Sequence, residues 1–190
     1  MSGGVWVVGE EWLCRWARQL EAATARALRD VLSTYPFEPG VHTVGPPSPP
    51  ADLTLLRRRM PWVPNELVAL CQLVGPVSLP DIANGYFLDA PKHLTSDLFH
   101  EQARPDRIGE PFAEDVDIVV FGSNGGGDLY ALATPDGGLV YRLQDAAYEA
   151  GVYRGTERGI TVVGKDLRDF LDKFLAAVEA FADDGRVTDL

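Results

Sequence analysis

Val116-Asp117-Ile118-Val119-Val120-Phe121-Gly122-Ser123-Asn124-Gly125-Gly126-Gly127-Asp128-Leu129-Tyr130-Ala131-Leu132-Ala133 decides the fold, with the turn Thr134-Pro135-Asp136-Gly137-Gly138 and the run Leu139-Val140-Tyr141-Arg142-Leu143 behind it. Three short runs of β-branched, aromatic and other apolar residues are punctuated by Gly, Asn, Asp and Pro, which predicts consecutive antiparallel strands. Pro135 cannot donate to a ladder and marks a strand end, and Asp136-Gly137 supplies a tight turn. Gly122, Asn124, Gly125, Gly126 and Gly127 form a loop with two readings. One is a bulged hairpin connection, where glycine serves backbone geometry. The other is a nest of backbone N–H groups that binds an anion. Asp115, Asp117 and Asp128 flank the loop and would oppose an anion.

Phe121-Gly122-Ser123-Asn124-Gly125-Gly126-Gly127-Asp128-Leu129-Tyr130-Ala131-Leu132, followed by a Gly-Gly turn and Val140-Tyr141, resembles the central motif of the SUKH superfamily. That group includes yeast cell-wall-synthesis regulators and many bacterial immunity proteins. The order of flanking features agrees: a Pro-led helix from Pro64 to Val74 upstream and a Phe/Leu-rich helix from Asp166 to Ala182 at the end. The resemblance covers roughly residues 53–182. It implies an α+β fold and a non-enzymatic protein-binding role, as an immunity protein that occludes a toxin, often a nuclease. A regulatory or scaffold module of the yeast kind is the alternative, and a small-anion receptor using the glycine loop is a third.

The 190 residues suit one domain with room for a core, and a 46% hydrophobic share is that of a globular chain. No apolar run reaches the ~20 residues of a membrane span. Met1-Ser2-Gly3-Gly4-Val5-Trp6 lacks a basic leader, so no signal peptide is expected. Cys14 and Cys71 stand far apart, which suggests a reducing compartment and a cytoplasmic protein. The net charge is −11, of which residues 1–100 carry −2 and residues 101–190 carry −9. Such a surface repels phosphate backbones and attracts basic proteins, which argues against direct nucleic-acid binding. It also serves plain solubility. Glu114, Asp115, Asp117 and Asp128 are the candidate partner-binding residues.

Residues 10–32 have an apolar stripe at helical spacing, from Trp12, Leu13, Trp16 and Leu20 to Leu28, Val31 and Leu32, with arginines on the other face. Docking on the chain's own acidic half is the expected role. Prolines 36, 39, 46, 47, 49 and 50 make residues 36–52 an extended linker. The division is therefore 1–52, N-terminal helix and linker, and 53–190, the SUKH-like domain. Asp52 is placed to cap a short helix that ends at Pro61. Val77 to Pro80 and Tyr86 to Leu88 read as strands around Asn84-Gly85, residues 100–115 as a surface loop, and Tyr148 to Tyr153 and Ile160 to Val163 as two more strands. The last helix, capped by Asp166, buries Leu167, Phe170, Leu171, Phe174, Leu175, Val178 and Phe181. The sheet is twisted and mainly antiparallel or mixed, packed on these helices.

Motifs for chemistry fail individually. Gly164-Lys165-Asp166 lacks the Ser/Thr of a P-loop, and the glycine loop is not a dinucleotide fingerprint. No nucleophile elbow occurs. His100-Glu101 opens like a zinc-binding helix, but Arg104 stands in place of the second histidine. The three histidines and two cysteines lack metal-ligand spacing. No catalytic residue, metal or cofactor is assigned.

Overall fold

The structure is a computed structural model that describes residues 9–96, 105–109, 115–144, 147–154, 159–188 and 190. It is an α+β fold with five α-helices and ten strands in one mainly antiparallel sheet among the described residues. The chain opens with α1 (Glu10–Arg26), whose first turn carries Glu10 and Glu11 at the positive end of the helix dipole. A π-helical turn (Ala27–Val31) and a 3-10 turn (Leu32–Thr34) continue it, so the predicted 10–32 helix is real but changes pitch after Arg26. β1 (Thr43–Val44) follows, then α2 (Pro50–Arg59) and α3 (Asn65–Leu73). Asp52 is not the cap of α2. Pro50 opens that helix because its fixed φ suits the first position, which leaves Asp52 inside the first turn.

β2 (Val77–Leu79) and β3 (Tyr86–Leu88) pair as predicted. α4 (Pro91–Leu94) is a single unpredicted turn. The predicted loop 100–115 contains a strand, β4 (Asp106–Ile108), where its described residues begin, while 97–104 and 110–114 lie outside the described residues. β5 (Val116–Asn124), β6 (Leu129–Ala133) and β7 (Val140–Leu143) are the three strands of the deciding stretch, joined antiparallel. The predicted Tyr148–Tyr153 strand is instead a hairpin. β8 (Ala147–Glu149) turns at Ala150-Gly151 into β9 (Val152–Arg154), because Gly151 at φ 81° reverses the chain. β10 (Ile160–Gly164) and α5 (Leu167–Asp184) close the chain.

β5 is long enough to serve three partners. β3 pairs with its C-terminal half and β4 with its N-terminal half on one edge, and β6 takes the other edge. β7 and β10 extend the sheet beyond β6. β9 joins β4 in parallel, and β8 follows it. Alternation divides the side chains between two cores. Val119, Phe121, Tyr130, Leu132 and Val140 meet the helices in the larger one, while Ile118, Ala131, Tyr141 and Leu143 join Ile108 and Tyr153 on the opposite face.

α5 carries the helix side of that core. Phe170, Leu171, Phe174 and Val178 are fully buried, with Phe170 stacked edge-on against Phe121 at 5.5 Å. Asp166 caps the helix by accepting the Asp169 N–H at 2.7 Å, as its position predicts. α1 lies along α5 in the same direction. Arg168 sits over the Trp12 ring, Trp16 Nε1 donates to the Leu171 carbonyl at 2.7 Å, and Arg26 reaches Asp183 at 3.3 Å. The Pro-rich segment is pinned rather than free. β1 pairs with β2, the Ser48 N–H donates to the Cys71 carbonyl, and the Gly40 N–H donates to the Asp81 carboxylate at 2.7 Å. His42 completes the pin: the Asp81 N–H donates to Nε2, and Nδ1 faces the Gly40 carbonyl at 2.9 Å.

Candidate functional site

The glycine loop joins β5 to β6 at one end of the sheet. Asn124 organises it. Its Oδ1 accepts the N–H of Gly126 and of Asp128, each at 2.9 Å. Its backbone carbonyl accepts the Gly127 N–H, and the Gly125 N–H donates to the Gly85 carbonyl. Four successive N–H groups, from Gly125 to Asp128, are thus spent on the protein itself. An anion nest needs those donors converging outward, so the geometry matches the hairpin reading. Three glycines are required sterically, Gly122 among them because a Cβ there would press into the Phe87 carbonyl oxygen. Gly127 has φ 92°, and a Cβ on Gly125 would press into the Asn84 carbonyl oxygen. Gly122 sits at the bulge where β5 shifts register against β6. A Cβ on Gly126 would meet only Asn124 Oδ1, at 3.3 Å.

Asp128 is not on the surface. It is 7% exposed, and its carboxylate accepts Asn124 Nδ2 at 2.8 Å and Arg142 Nε at 2.8 Å, with Arg142 Nη2 at 2.6 Å. Strand register brings the pair together: Asp128 precedes β6 by one residue, and Arg142 on β7 stands opposite Tyr130. Arg142 Nη1 also donates to the Leu190 carbonyl oxygen at 2.6 Å, and the Tyr86 hydroxyl donates to the Thr188 carbonyl at 2.7 Å. The segment after α5 is thereby drawn down over the sheet. Asp128 acts as an internal clamp, so its place in an exposed acidic face is corrected. A buried, hydrogen-bonded ion pair of this kind ties elements together more than it adds net stability.

Asp115 and Asp117 do face solvent, at the start of β5 and away from the glycine loop. Asp117 is opposite Arg107 of β4, and the Arg107 guanidinium turns to Asp115 at 2.9 Å. Arg107 therefore offsets one of the two carboxylates. Glu114 lies outside the described residues. Sequence reasoning missed Asp106, two-residue alternation with Ile108 being too short a signal. Asp106 is 7% exposed and accepts the Tyr148 hydroxyl at 3.2 Å. Burial raises its pKa above the ordinary 3.8, with the Tyr148 hydrogen bond opposing. Burial likewise pushes the Tyr153 phenol well up.

Cys14 is exposed and Cys71 buried, both as free thiols, and burial lifts the Cys71 thiol to about 12, so it is not a nucleophile at neutral pH. Among the described residues no group of three His, Cys, Asp or Glu side chains is arranged to hold a metal ion. No described helix is long and apolar enough to cross a membrane. No family model, curated protein or solved structure matches this chain.

Proposed function

We propose that the chain is a non-enzymatic, cytoplasmic protein-binding module of the SUKH kind, an immunity protein that neutralises a basic toxin domain by occlusion. The observation that supports this most is the charge: −9 of the net −11 lies in residues 101–190, and Asp115 and Asp117 present carboxylates to solvent beside Arg107, which pairs with Asp115. A basic, nucleic-acid-binding cleft is the natural complement of such a face. The anion-receptor alternative loses ground because Gly125 to Asp128 have no N–H left to offer.

The test is kinetic. A partner captured from the source cells is purified and its association measured by stopped flow. Raising salt from about 50 to 500 mM shortens the Debye length from roughly 14 to roughly 4 Å. The on-rate should fall at least about tenfold while the off-rate changes little. Asp115→Lys with Asp117→Lys should weaken binding without unfolding the domain, since both side chains are exposed. Salt-insensitive association, or an acidic partner, removes the charge-steered mechanism.

A further inference from the structure

β10 is an edge strand whose one neighbour among the described residues is β7. Ile160 stands opposite Leu143, Thr161 opposite Arg142 and Val162 opposite Tyr141, and the Gln144 N–H donates to the Gly159 carbonyl. That phase makes Thr161 and Arg142 a hydrogen-bonded pair. Alternate residues of an antiparallel ladder face the other way, so the N–H and C=O groups of Ile160 and Val162 point outward from the sheet. Native edges are commonly blunted by brevity, charge or proline. β1 is two residues long in a Pro-rich segment, and β8 ends in Glu149. β10 holds neither charge nor proline, and Val162 is 50% exposed.

A trough of about 510 Å³ runs beside this edge on its helix side, lined by Val162 and Val163, Ala176 and Ala177, Thr188 and Leu190. Lys173 also lines it. Its Nζ donates to the Val163 carbonyl at 2.8 Å and pairs with Asp169 at 2.9 Å. Among the described residues the edge is therefore capped at Val163 and open from Ile160 to Val162.

We propose that β10 and its trough receive an extended, lysine- or arginine-bearing segment of the partner protein as an added strand. This rests on the protein-binding reading and adds to the Asp115/Asp117 face a second contact surface on the same partner. Outward backbone groups select a strand, and an apolar trough alongside takes its alternate side chains. The net charge of −11 favours a basic segment and disfavours a second copy of this equally acidic chain.

The full chain is titrated with a synthetic peptide of about ten alternating valine and lysine residues, and with the same peptide N-methylated at alternate backbone nitrogens. Val162→Pro deletes an outward N–H that the β7 ladder does not use, a substitution edge strands tolerate. The expected result is binding that Val162→Pro weakens at least about tenfold, that N-methylation abolishes, and that slows amide exchange at Ile160 and Val162 at least about tenfold. Equal binding of the N-methylated peptide, no binding of either, or no change at those two amides overturns the proposal. A homodimer that Val162→Pro dissociates also overturns it, giving the edge to a second copy. Should Val162→Pro fail to fold, the peptide and exchange arms still decide. The Asp115/Asp117 kinetics report on a surface three strands away along β5-β6-β7-β10, so failure of the charge-steered reading leaves this exchange result standing, and the reverse.

Discussion

Arg142 shows how one side chain can join parts of the chain that no local pattern connects. It reaches Asp128, fourteen positions earlier, and Leu190, forty-eight positions later. Removing it leaves the Asp128 carboxylate nearly buried with Asn124 as its one side-chain donor among the described residues. Arg142→Ala should cost roughly 3–5 kcal/mol in denaturant melts. Replacing both partners by apolar residues, Arg142→Met with Asp128→Leu, should cost less than either single loss, because no charge is then stranded. A double variant as damaged as the sum of the singles would contradict that account. Asp106 gives a pH signature. Its folded pKa lies above the ordinary 3.8, so its contribution to stability is complete below that value and is lost as pH rises through the raised one. Asp106→Asn keeps an acceptor for Tyr148 without the charge. The variant's stability relative to wild type should therefore rise with pH from below 3.8 and level off toward neutrality, as measured by melts across that range.

Elements differ in how plainly the sequence announces them. α5 was legible because seven apolar residues repeat at 3.6 spacing behind a capping Asp, and the structure buries all seven. Phe174 has no exposure and touches Trp16, Tyr86 and Phe170, so Phe174→Ala should cost roughly 3–5 kcal/mol; a loss under about 0.5 kcal/mol would mean the helix is seated differently. β5 to β7 were legible through their turns. β2 and β3 were legible by the Asn84-Gly85 turn between them, whereas β4 lay in a polar run with no such bracket and β8 and β9 read as one strand because Ala150-Gly151 is a weak turn signal. The start of α2 was hidden by two adjacent prolines, which read as linker until a first helical turn is granted to the second. For the candidate site, the exposure of Asp115 and Asp117 followed from their position at a strand start. The burial of Asp128 depended on which strand returns beside it, which is non-local information.

At the scale of the whole molecule, the apolar core runs across the predicted boundary at residue 52 without a break: Leu13, Trp16 and Leu20 belong to the same cluster as Leu67, Phe121 and Phe174. The first helix and the last lie side by side in the same direction, joined at Trp16 and Leu171, 155 positions apart. That adjacency fixes an order of events during synthesis. At the usual pace of translation the ribosome needs on the order of ten seconds or more to pass from one of these residues to the other. Throughout that interval the buried stripe of α1 has no α5 to meet, and the nascent chain should bind holding chaperones until α5 emerges. A ribosome-arrested chain that stops at residue 166 should leave α1 open to protease, and the released full chain should protect it. Equal protection in both would mean that α1 finds its seat before α5 exists.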